Sequence, residues 1–428
     1  MNNVSTKIFL LLLIVCVAVT SACSAKRVRF EKDPEPLPKI ETSQKTETSQ
    51  KIETGSDVKT IQHSEMRGVW FAFYDWLDLP RDEIGFRYAV QNIMTQVESH
   101  GLNAIFVHVH SHSDSYYPSN FFPASKFAID SMSSNFSFDP LKIFIDEAHK
   151  KNIEFHAWLN PYRVTFSHTS TMKVTWDEIP ENSIVKRWYH SSPNQRYVLQ
   201  HGGNFYLNPS NDEVIQYLTD AMTELVRNYD VDGIHFDDYF YPTVRDDEFD
   251  ASDYWQSGEN ISIAQWRRNN VSKLVRSVHN AVKSARPSVQ FGISPAGNLD
   301  NLRSPNQYFV DIDRWLAEPG FVDYILPQIY WGFDLRNSDG SLSKYAFEPC
   351  LNDWLSIPRD SSVRFYVGLA LYKTGRNNSE WIYNDDIIAR EILMSRARNT
   401  NGFVLFDYKN LFEGESAREV QNFLPLLK

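Results

Sequence analysis

The sequence predicts an α/β fold, a (β/α)8 barrel with long insertions in its βα loops, for residues 65–428. Eight short apolar runs with strand character follow one another from Arg67 onward, and most are separated by stretches with apolar residues at helical spacing. Polar and aromatic residues collect directly after these runs. A doubly wound open sheet is the structural alternative, but no GxGxxG turn follows any of the strands.

The eight predicted strands are rich in β-branched and aromatic residues. In chain order they are RGVWFAF, NAIFVHVH, EFHAWL, DGIHFDD, QFGIS, DYILPQ, FYVGLAL and GFVLF. Four helices are predicted from apolar residues that recur every three or four positions. They cover Val90 to Val97, Leu141 to Ala148, Val214 to Val226 and Leu274 to Val282.

The first 23 residues are predicted to be an export signal that ends in a lipobox. Lys7 precedes an apolar run from Ile8 to Val19, which is shorter than a typical membrane span. The small residues before Cys23 resemble a bacterial lipobox, in which the cysteine is lipidated and becomes the new N-terminus. We therefore expect an exported, membrane-anchored lipoprotein of the bacterial cell envelope. Thr20 stands where an aliphatic residue is usual, so simple cleavage is the alternative.

Residues 24–64 are predicted to be a disordered linker between the anchor and the barrel. They consist mainly of Lys, Glu, Thr, Ser, Gln and Pro and contain the near-repeat ETSQK twice. Such a segment has too few apolar residues to bury a core. Its expected role is to hold the folded domain away from the membrane.

Composition excludes some classes of function. The formal net charge of -11 argues against a nucleic-acid partner. Of the 3 cysteines, only Cys350 lies in the predicted domain, so no disulfide framework is expected there. No cofactor is predicted. The aromatic content of 14% suits a carbohydrate cleft, in which flat rings stack on sugar faces.

The segment DGIHFDDYFYP, Asp232 to Pro242, is predicted to be a strand that delivers two carboxylates to the rim of the barrel. Along an extended strand His235, Asp237 and Tyr239 share one face. Asp238 points the other way until the strand ends. Cleavage of a glycosidic bond normally needs a pair of carboxyl groups, so Asp237 and Asp238 are the candidate catalytic residues. Two solvated aspartates in a turn would be the alternative interpretation.

Residues near the strand ends form a set suited to a polyhydroxylated substrate, with acid, amide, hydroxyl and ring groups. Individually, each also has a structural explanation: Trp331 or Tyr372 could lie in the core, and Gln328 could cap a strand. The predicted substrate-binding residues are His108, His110, Trp158, Asn160, Tyr162, Arg163, His235, Tyr239, Ser294, Gln328, Tyr330, Trp331, Tyr372, Lys373 and Asp407.

Two long insertions are predicted at this face. One runs from Tyr162 to Pro209 and the other from Tyr241 to about Ile263. Both leave the carboxyl ends of strands, where barrel enzymes carry their catalytic loops. We expect both to shape a substrate cleft or lid.

The blocks MRGVWFAF, FDPLKIFIDEAHKKNIEFHAWLNPYRV, DGIHFDDYFYP, WRRNN, FGISPAGN and DYILPQIYWGF closely resemble the bacterial glycosyl hydrolase-like 10 family. That family includes lipoproteins that act on denuded septal peptidoglycan glycans. The resemblance extends from about Met66 to the C-terminus. It implies an exported TIM-barrel glycosidase acting on peptide-free cell-wall glycan, with Asp237 and Asp238 as catalytic acids. The implied cleft residues are Asn160, Tyr162, Arg163, Gln328, Tyr330 and Lys373.

The chain also resembles, more distantly, the family 18 chitinase-type hydrolases, whose fourth strand reads DGxDxDxE. Here His235 replaces one aspartate and Tyr239 stands where the catalytic glutamate would be. Tyr330 resembles the tyrosine that holds the substrate acetamido group in that family. The resemblance leads us to expect that Asp238 or Asp237 supplies the proton. Either the partner aspartate or the substrate acetamido group would then stabilise the anomeric carbon.

Two other classes of function stay open. A metal-dependent amidohydrolase or deacetylase is suggested by the H-x-H spacing of His108 and His110 and by Asp407 after the last strand. A lipoprotein that binds glycan without cutting it is suggested by Tyr239. Among glycosidases, an exopolysaccharide or an α-glycan is an alternative substrate.

Overall fold

Eight parallel strands form a closed barrel in the computed structural model, which describes residues 63–167, 172–191 and 196–428. Each predicted strand overlaps one of them, so the predicted (β/α)8 barrel is confirmed. The strands are β1 (Met66–Phe71), β2 (Ala104–His110), β3 (Glu154–Leu159), β4 (Gly233–Phe236), β5 (Gln290–Ile293), β6 (Tyr324–Ile325), β7 (Arg364–Leu369) and β8 (Gly402–Leu405). The predicted signal segment with Cys23 and most of the predicted linker lie outside the described residues.

Helices follow most of the strands, as the sequence predicts. In chain order they are α1 (Glu83–Ser99), α2 (Pro140–Lys150), α3 (Ile184–Ser191), α4 (Asp212–Asn228), α5 (Ala251–Ser257), α6 (Ile263–Ala285), α7 (Leu299–Arg303), α8 (Ile312–Ala317), α9 (Phe347–Leu355), α10 (Ser379–Tyr383), α11 (Ile387–Ala397) and α12 (Ala417–Phe423). Across the three described ranges, none of these helices is long and apolar enough to cross a lipid bilayer.

Local sequence explains where the long helices begin. Asp82, Asp139, Asn211 and Ser262 precede α1, α2, α4 and α6, and each side chain accepts a hydrogen bond from a backbone N–H of the first turn. These are the residue types that cap helix N-termini, where backbone N–H groups lack partners within the helix. The apolar positions of each helix then pack against the outer face of the barrel.

The barrel interior contains a chain of hydrogen bonds between polar side chains. Trp70 Nε1 donates to His235 Nε2 at 3.3 Å, so the other ring nitrogen of His235 carries the proton. That nitrogen lies 3.1 Å from the Tyr324 hydroxyl, which lies 3.1 Å from His156 Nδ1. His156 Nε2 then reaches Glu154 at 3.2 Å. Trp70 therefore donates at one end and Glu154 accepts at the other, and each of the three groups between them accepts one hydrogen bond and donates the next, from the barrel mouth towards its base.

Two glycines make room for these rings. A Cβ atom on Gly233 would lie 2.2 Å from His156 Nδ1, and one on Gly292 would lie 2.1 Å from the Tyr324 ring. Real Cβ atoms do not approach other atoms so closely, so only glycine at these positions of DGIHF and QFGIS leaves space for the rings of His156 and Tyr324.

Replacing Tyr324 with phenylalanine should lower the free energy of unfolding by about 1–3 kcal/mol, because it leaves polar atoms of His235 and His156 buried without a partner. Urea denaturation followed by circular dichroism measures this change. The control is Tyr383→Phe, since Tyr383 is 82% exposed, and its effect should stay within about 0.5 kcal/mol. Equal denaturation midpoints for Tyr324→Phe and the wild type would contradict the prediction.

The two predicted insertions contact each other at the carboxyl ends of the strands. The first contains α3 and the hairpin of Val198–His201 with Asn204–Leu207. The second contains α5, in which Asp253 accepts hydrogen bonds from Arg196 at 3.0 Å and from Asn208 at 3.2 Å. The described parts of the two insertions are therefore joined by hydrogen bonds.

Candidate active site

A cavity of 230 Å³ lies at the carboxyl ends of the barrel strands. Its lining combines aromatic rings with two carboxyl groups and one guanidinium group. The lining residues that the sequence predicted are His108, Trp158, Arg163, Asp237, Asp238, Tyr239, Ser294, Gln328, Tyr330 and Tyr372. The remaining lining residues are Trp70, Ala72, Phe73, Tyr74, Phe166 and Phe406.

Both candidate acids face this cavity because β4 ends one residue before them, at Phe236. Within a continuous strand, adjacent side chains would point to opposite faces. Beyond Phe236 the chain turns, and the backbone N–H of Phe240 donates to the carbonyl oxygen of Asp238 at 3.2 Å. The early end of the strand allows consecutive carboxyl groups to line one cavity.

Asp237 is held by three hydrogen-bond donors. Its Oδ1 accepts from Asn160 Nδ2 at 2.5 Å and from the backbone N–H of Tyr239 at 3.1 Å. Its Oδ2 accepts from Trp158 Nε1 at 3.1 Å. Burial raises the pKa of Asp237, and the positive charge of Arg163 and the three donors oppose that rise. The surroundings of Asp237 are therefore built to hold a carboxylate in one orientation.

His108 fixes the orientation of Asn160. The backbone N–H of Phe73 donates to His108 Nδ1 at 3.2 Å, so Nε2 carries the ring proton and donates to Asn160 Oδ1 at 2.6 Å. The amide nitrogen of Asn160 is then left facing Asp237. Burial lowers the pKa of His108 well below its usual value, which keeps the ring neutral. Stacking on Trp158, with ring centroids 3.5 Å apart, holds the imidazole in place.

The surroundings of Asp238 differ from those of Asp237, because they favour the protonated carboxyl group. Asp238 is partly exposed to the cavity, and burial together with the negative charge of Asp237 raises its pKa to about 7. The charge of Arg163 and a hydrogen bond with Gln328 oppose this rise. Gln328 is itself anchored, because its amide nitrogen donates to the Ser294 carbonyl oxygen at 3.0 Å and hydroxyl at 3.1 Å. Asp238 therefore carries a proton in a large fraction of molecules at neutral pH.

Aromatic rings form the walls of the cavity. Tyr239 is 52% exposed and covers the guanidinium of Arg163, whose Cζ lies 3.8 Å from the ring centroid. On another wall Tyr330 packs against Tyr372 and Phe406, with ring centroids 5.8 Å and 5.9 Å away. These surfaces can stack on the apolar faces of sugar rings.

Some predicted substrate-binding residues take supporting positions around the cavity. Asn160 is buried behind Asp237, and Lys373 Nζ donates to the backbone carbonyl of Tyr330 at 2.5 Å. Asp407 accepts hydrogen bonds from the hydroxyl of Tyr74 and from a nearby asparagine. These side chains orient groups that line the cavity rather than lining it themselves.

Other predicted residues are not brought to the cavity. His235 is fully buried in the barrel interior, and Tyr162 is fully buried in the apolar core. His110 packs against Phe122, and its Nδ1 lies 2.6 Å from a backbone carbonyl. Trp331 packs against a neighbouring tyrosine. For His235, Tyr162 and His110 the predicted substrate contact is wrong, because each side chain is buried by protein packing. Trp331 is half-buried and does not line the cavity, so its substrate contact stays a prediction.

The two histidines of the H-x-H pair, His108 and His110, are not arranged to bind a metal ion together. Both ring nitrogens of His108 already have protein partners, and the ring of His110 faces away towards Phe122. Within residues 63–167, 172–191 and 196–428, no group of three or more His, Cys, Asp or Glu side chains is arranged to hold a metal ion. The geometry of the described residues therefore gives the metal-dependent alternative no support.

Several lining residues escaped the sequence prediction because they precede the end of their strand or lie in a loop. Trp70 belongs to β1, and Ala72 follows two positions later on the same face. The period-two pattern of RGVWFAF could have placed both towards the barrel axis. Tyr74 lies in the loop beyond, where no pattern marks its direction.

A closed parallel barrel with a pair of unlike carboxyl groups at its carboxyl-terminal face is the architecture of many glycoside hydrolases. The structure is similar to that of the PgaB (BpsB) glycoside hydrolase domain from Bordetella bronchiseptica, with a TM-score of 0.55 and 13% identity over 83% of this chain and 98% of that one. That likeness concerns the fold alone.

The chain belongs to the Glycosyl hydrolase-like 10 family, whose model matches residues 65–384. It is 31% identical to glycosyl hydrolase DigH of Escherichia coli (strain K12) over 392 residues, which cover 82% of this chain and 85% of that protein. It is 30% identical to glycosyl hydrolase YngK of Bacillus subtilis (strain 168) over 370 residues, which cover 81% of this chain and 69% of that protein.

Proposed function

We propose that this protein is a glycoside hydrolase that cleaves glycosidic bonds in bacterial cell-wall glycan, with peptide-free peptidoglycan strands as its substrate. The observation that carries the proposal is the unequal pair of carboxyl groups in the ring-lined cavity. Asp238 is suited to give a proton, and Asp237 is held by donors that favour a carboxylate. Glycosidic cleavage needs both of these properties within one site.

Asp238 is the proton donor in this proposal. The oxygen that leaves the anomeric carbon is a poor leaving group unless it is protonated as the bond breaks. The cavity-facing carboxyl of Asp238, with a pKa of about 7, can supply that proton at neutral pH. The developing oxocarbenium-like charge is then stabilised by the carboxylate of Asp237 or by the acetamido oxygen of the substrate.

The donors around Asp237 favour the second of these arrangements. Each carboxylate oxygen can accept two hydrogen bonds. Oδ1 already accepts from Asn160 and from the backbone of Tyr239, whereas Oδ2 accepts only from Trp158. Asp237 thus keeps one acceptor position, which fits the N–H of an acetamido group. Its role is to orient that group, so that the acetamido oxygen reaches the anomeric carbon.

The cell-wall substrate is supported by the resemblance of the sequence blocks to a family with members that act on denuded peptidoglycan glycans. The proposed export signal and lipid anchor at Cys23 agree with it, because they would place the enzyme on the same side of the membrane as the wall. The aromatic walls and the amide and hydroxyl groups of Gln328 and Ser294 suit sugar rings that carry hydroxyl and acetamido groups.

Incubation with purified glycan tests the proposal. We expect new reducing ends from peptide-free peptidoglycan strands, fewer from strands that keep their stem peptides, and none from an α-glucan. Binding of peptide-free strands without new reducing ends over long incubation would contradict hydrolysis and indicate a glycan-binding protein instead.

The proposed acid also predicts the pH dependence. Because Asp238 must be protonated to act and its pKa is about 7, kcat/KM should fall as the pH rises through about 7. Initial rates of reducing-end formation across a pH series measure this alkaline limb. A rate that keeps rising above that pH would contradict the assignment of Asp238 as the acid.

A further inference from the structure

Arg163 is a buried cation without a carboxylate partner. Among the described residues, the buried lysine and arginine side chains are Arg163, Lys186 and Arg267. Lys186 contacts Glu181 at 2.7 Å, and Arg267 contacts Asp250 at 2.7 Å. No described carboxylate oxygen comes within 4.0 Å of the Arg163 guanidinium. Asp237 and Asp238 act on this charge only from a longer distance, so a carboxylate from outside the chain can still pair with the guanidinium directly.

The surroundings hold this cation at the cavity wall. Its Cζ lies 3.8 Å from the ring centroid of Tyr239 and 5.0 Å from that of Phe166, so two rings support the guanidinium. The backbone is fixed on both sides, since its carbonyl accepts from Ser113 Oγ at 3.1 Å and its strand bridge is with Tyr206. A rigid guanidinium presents a fork of N–H donors that matches a carboxylate.

We propose that Arg163 binds a carboxylate on the sugar itself, which makes an acidic glycan the substrate class of this site. A lactyl ether on a hexosamine, as in N-acetylmuramic acid, carries such a group. This inference rests on the proposed function and deepens it, because uncharged polymers such as chitin or mannan have no group to pair with Arg163.

A different role for Arg163 would be to act only on its acidic neighbours, whose ionised forms its positive charge stabilises. The two roles have different consequences. A residue that acts only through the aspartates would affect the cleavage of every substrate equally. A residue that binds the substrate carboxylate would affect only substrates that carry it.

The test uses two forms of the same peptide-free glycan strands, one with free lactyl carboxylates and one with these groups converted to methylamides. We expect the full-length wild-type protein to cleave the acid form with a kcat/KM about tenfold or more above that of the amide form. Arg163→Gln should remove this preference by lowering the rate on the acid form. Arg163→Lys, which keeps the charge but not the fork, should retain part of it.

Arg336→Gln is the matched control, because Arg336 is an exposed arginine paired with Asp334. It should keep the wild-type preference.

Equal losses of Arg163→Gln on both forms, or a wild-type enzyme without preference, would overturn the inference. If the wild type cleaves neither form, the proposed function fails, and calorimetric titration of the wild type then decides this inference separately. Tighter binding of the acid form supports the inference, and equal binding of both forms overturns it. The same titration applies if Arg163→Gln does not fold.

Discussion

Asp238→Asn should lower kcat on peptide-free glycan strands by about 10²- to 10⁴-fold. The substitution keeps the size and polarity of the side chain but removes the proton that the leaving oxygen needs. Binding should change little, since an amide can still form a hydrogen bond with Gln328. Initial rates at a pH below the Asp238 pKa of about 7, where the wild-type acid is protonated, measure the loss.

A substrate with an activated leaving group makes this test specific. An aryl glycoside whose phenol is acidic leaves without protonation, so Asp238→Asn should lose far less activity on it than on glycan. Asp247→Asn is the matched control, because the Asp247 side chain is 78% exposed and does not line the cavity. Equal losses on glycan and aryl glycoside would show that Asp238 does not act as the acid.

Asp237→Asn should lower kcat/KM by about 10²-fold or more, because it removes the fixed negative charge next to the reacting centre. It should also change the pH profile. The negative charge of Asp237 raises the pKa of Asp238, so its removal lets the Asp238 pKa fall. The alkaline limb of kcat/KM should therefore move to lower pH, which a pH series on glycan can resolve.

Asp246→Asn provides the control for this shift, since its side chain is 72% exposed and has the same chemistry. It should leave both the rate and the alkaline limb at their wild-type positions. If the alkaline limb of Asp237→Asn stays at the wild-type pH, the charge of Asp237 does not affect the pKa of Asp238. A variant with full activity would remove Asp237 from the mechanism.

The sequence predicted the barrel well because its signals are local. Apolar runs such as NAIFVHVH, which recur eight times, and helical patterns such as Val214 to Val226 indicate burial within one element. The strand DYILPQ shows the limit of these signals: β6 is continuous only over Tyr324–Ile325, and Gln328 pairs separately through isolated bridges to Ala296 and Gly368. Pro327 has no N–H to donate to a ladder, so the strand is shorter than its apolar content indicates.

The roles of individual site residues depended on contacts between distant parts of the chain. Asn160 and Asp237 are 77 residues apart, and Tyr74 and Asp407 are 333 residues apart. No sequence pattern states which of two adjacent aspartates will meet the donors, so the acid stayed undecided until the pair was seen in place. His235 illustrates the same point, because the sequence places it on the face of Asp237 but does not show that Trp70 and Tyr324 enclose it in the barrel interior.

The most direct test of the account is mass analysis of the products formed from peptide-free peptidoglycan strands by the wild type and by Asp238→Asn. The wild type should convert long strands into short saccharides with new reducing ends, and the folded variant should leave the strands intact. Intact strands after incubation with the wild type, or the same products from both proteins, would contradict the claim that this cavity cleaves glycan with Asp238 as its acid.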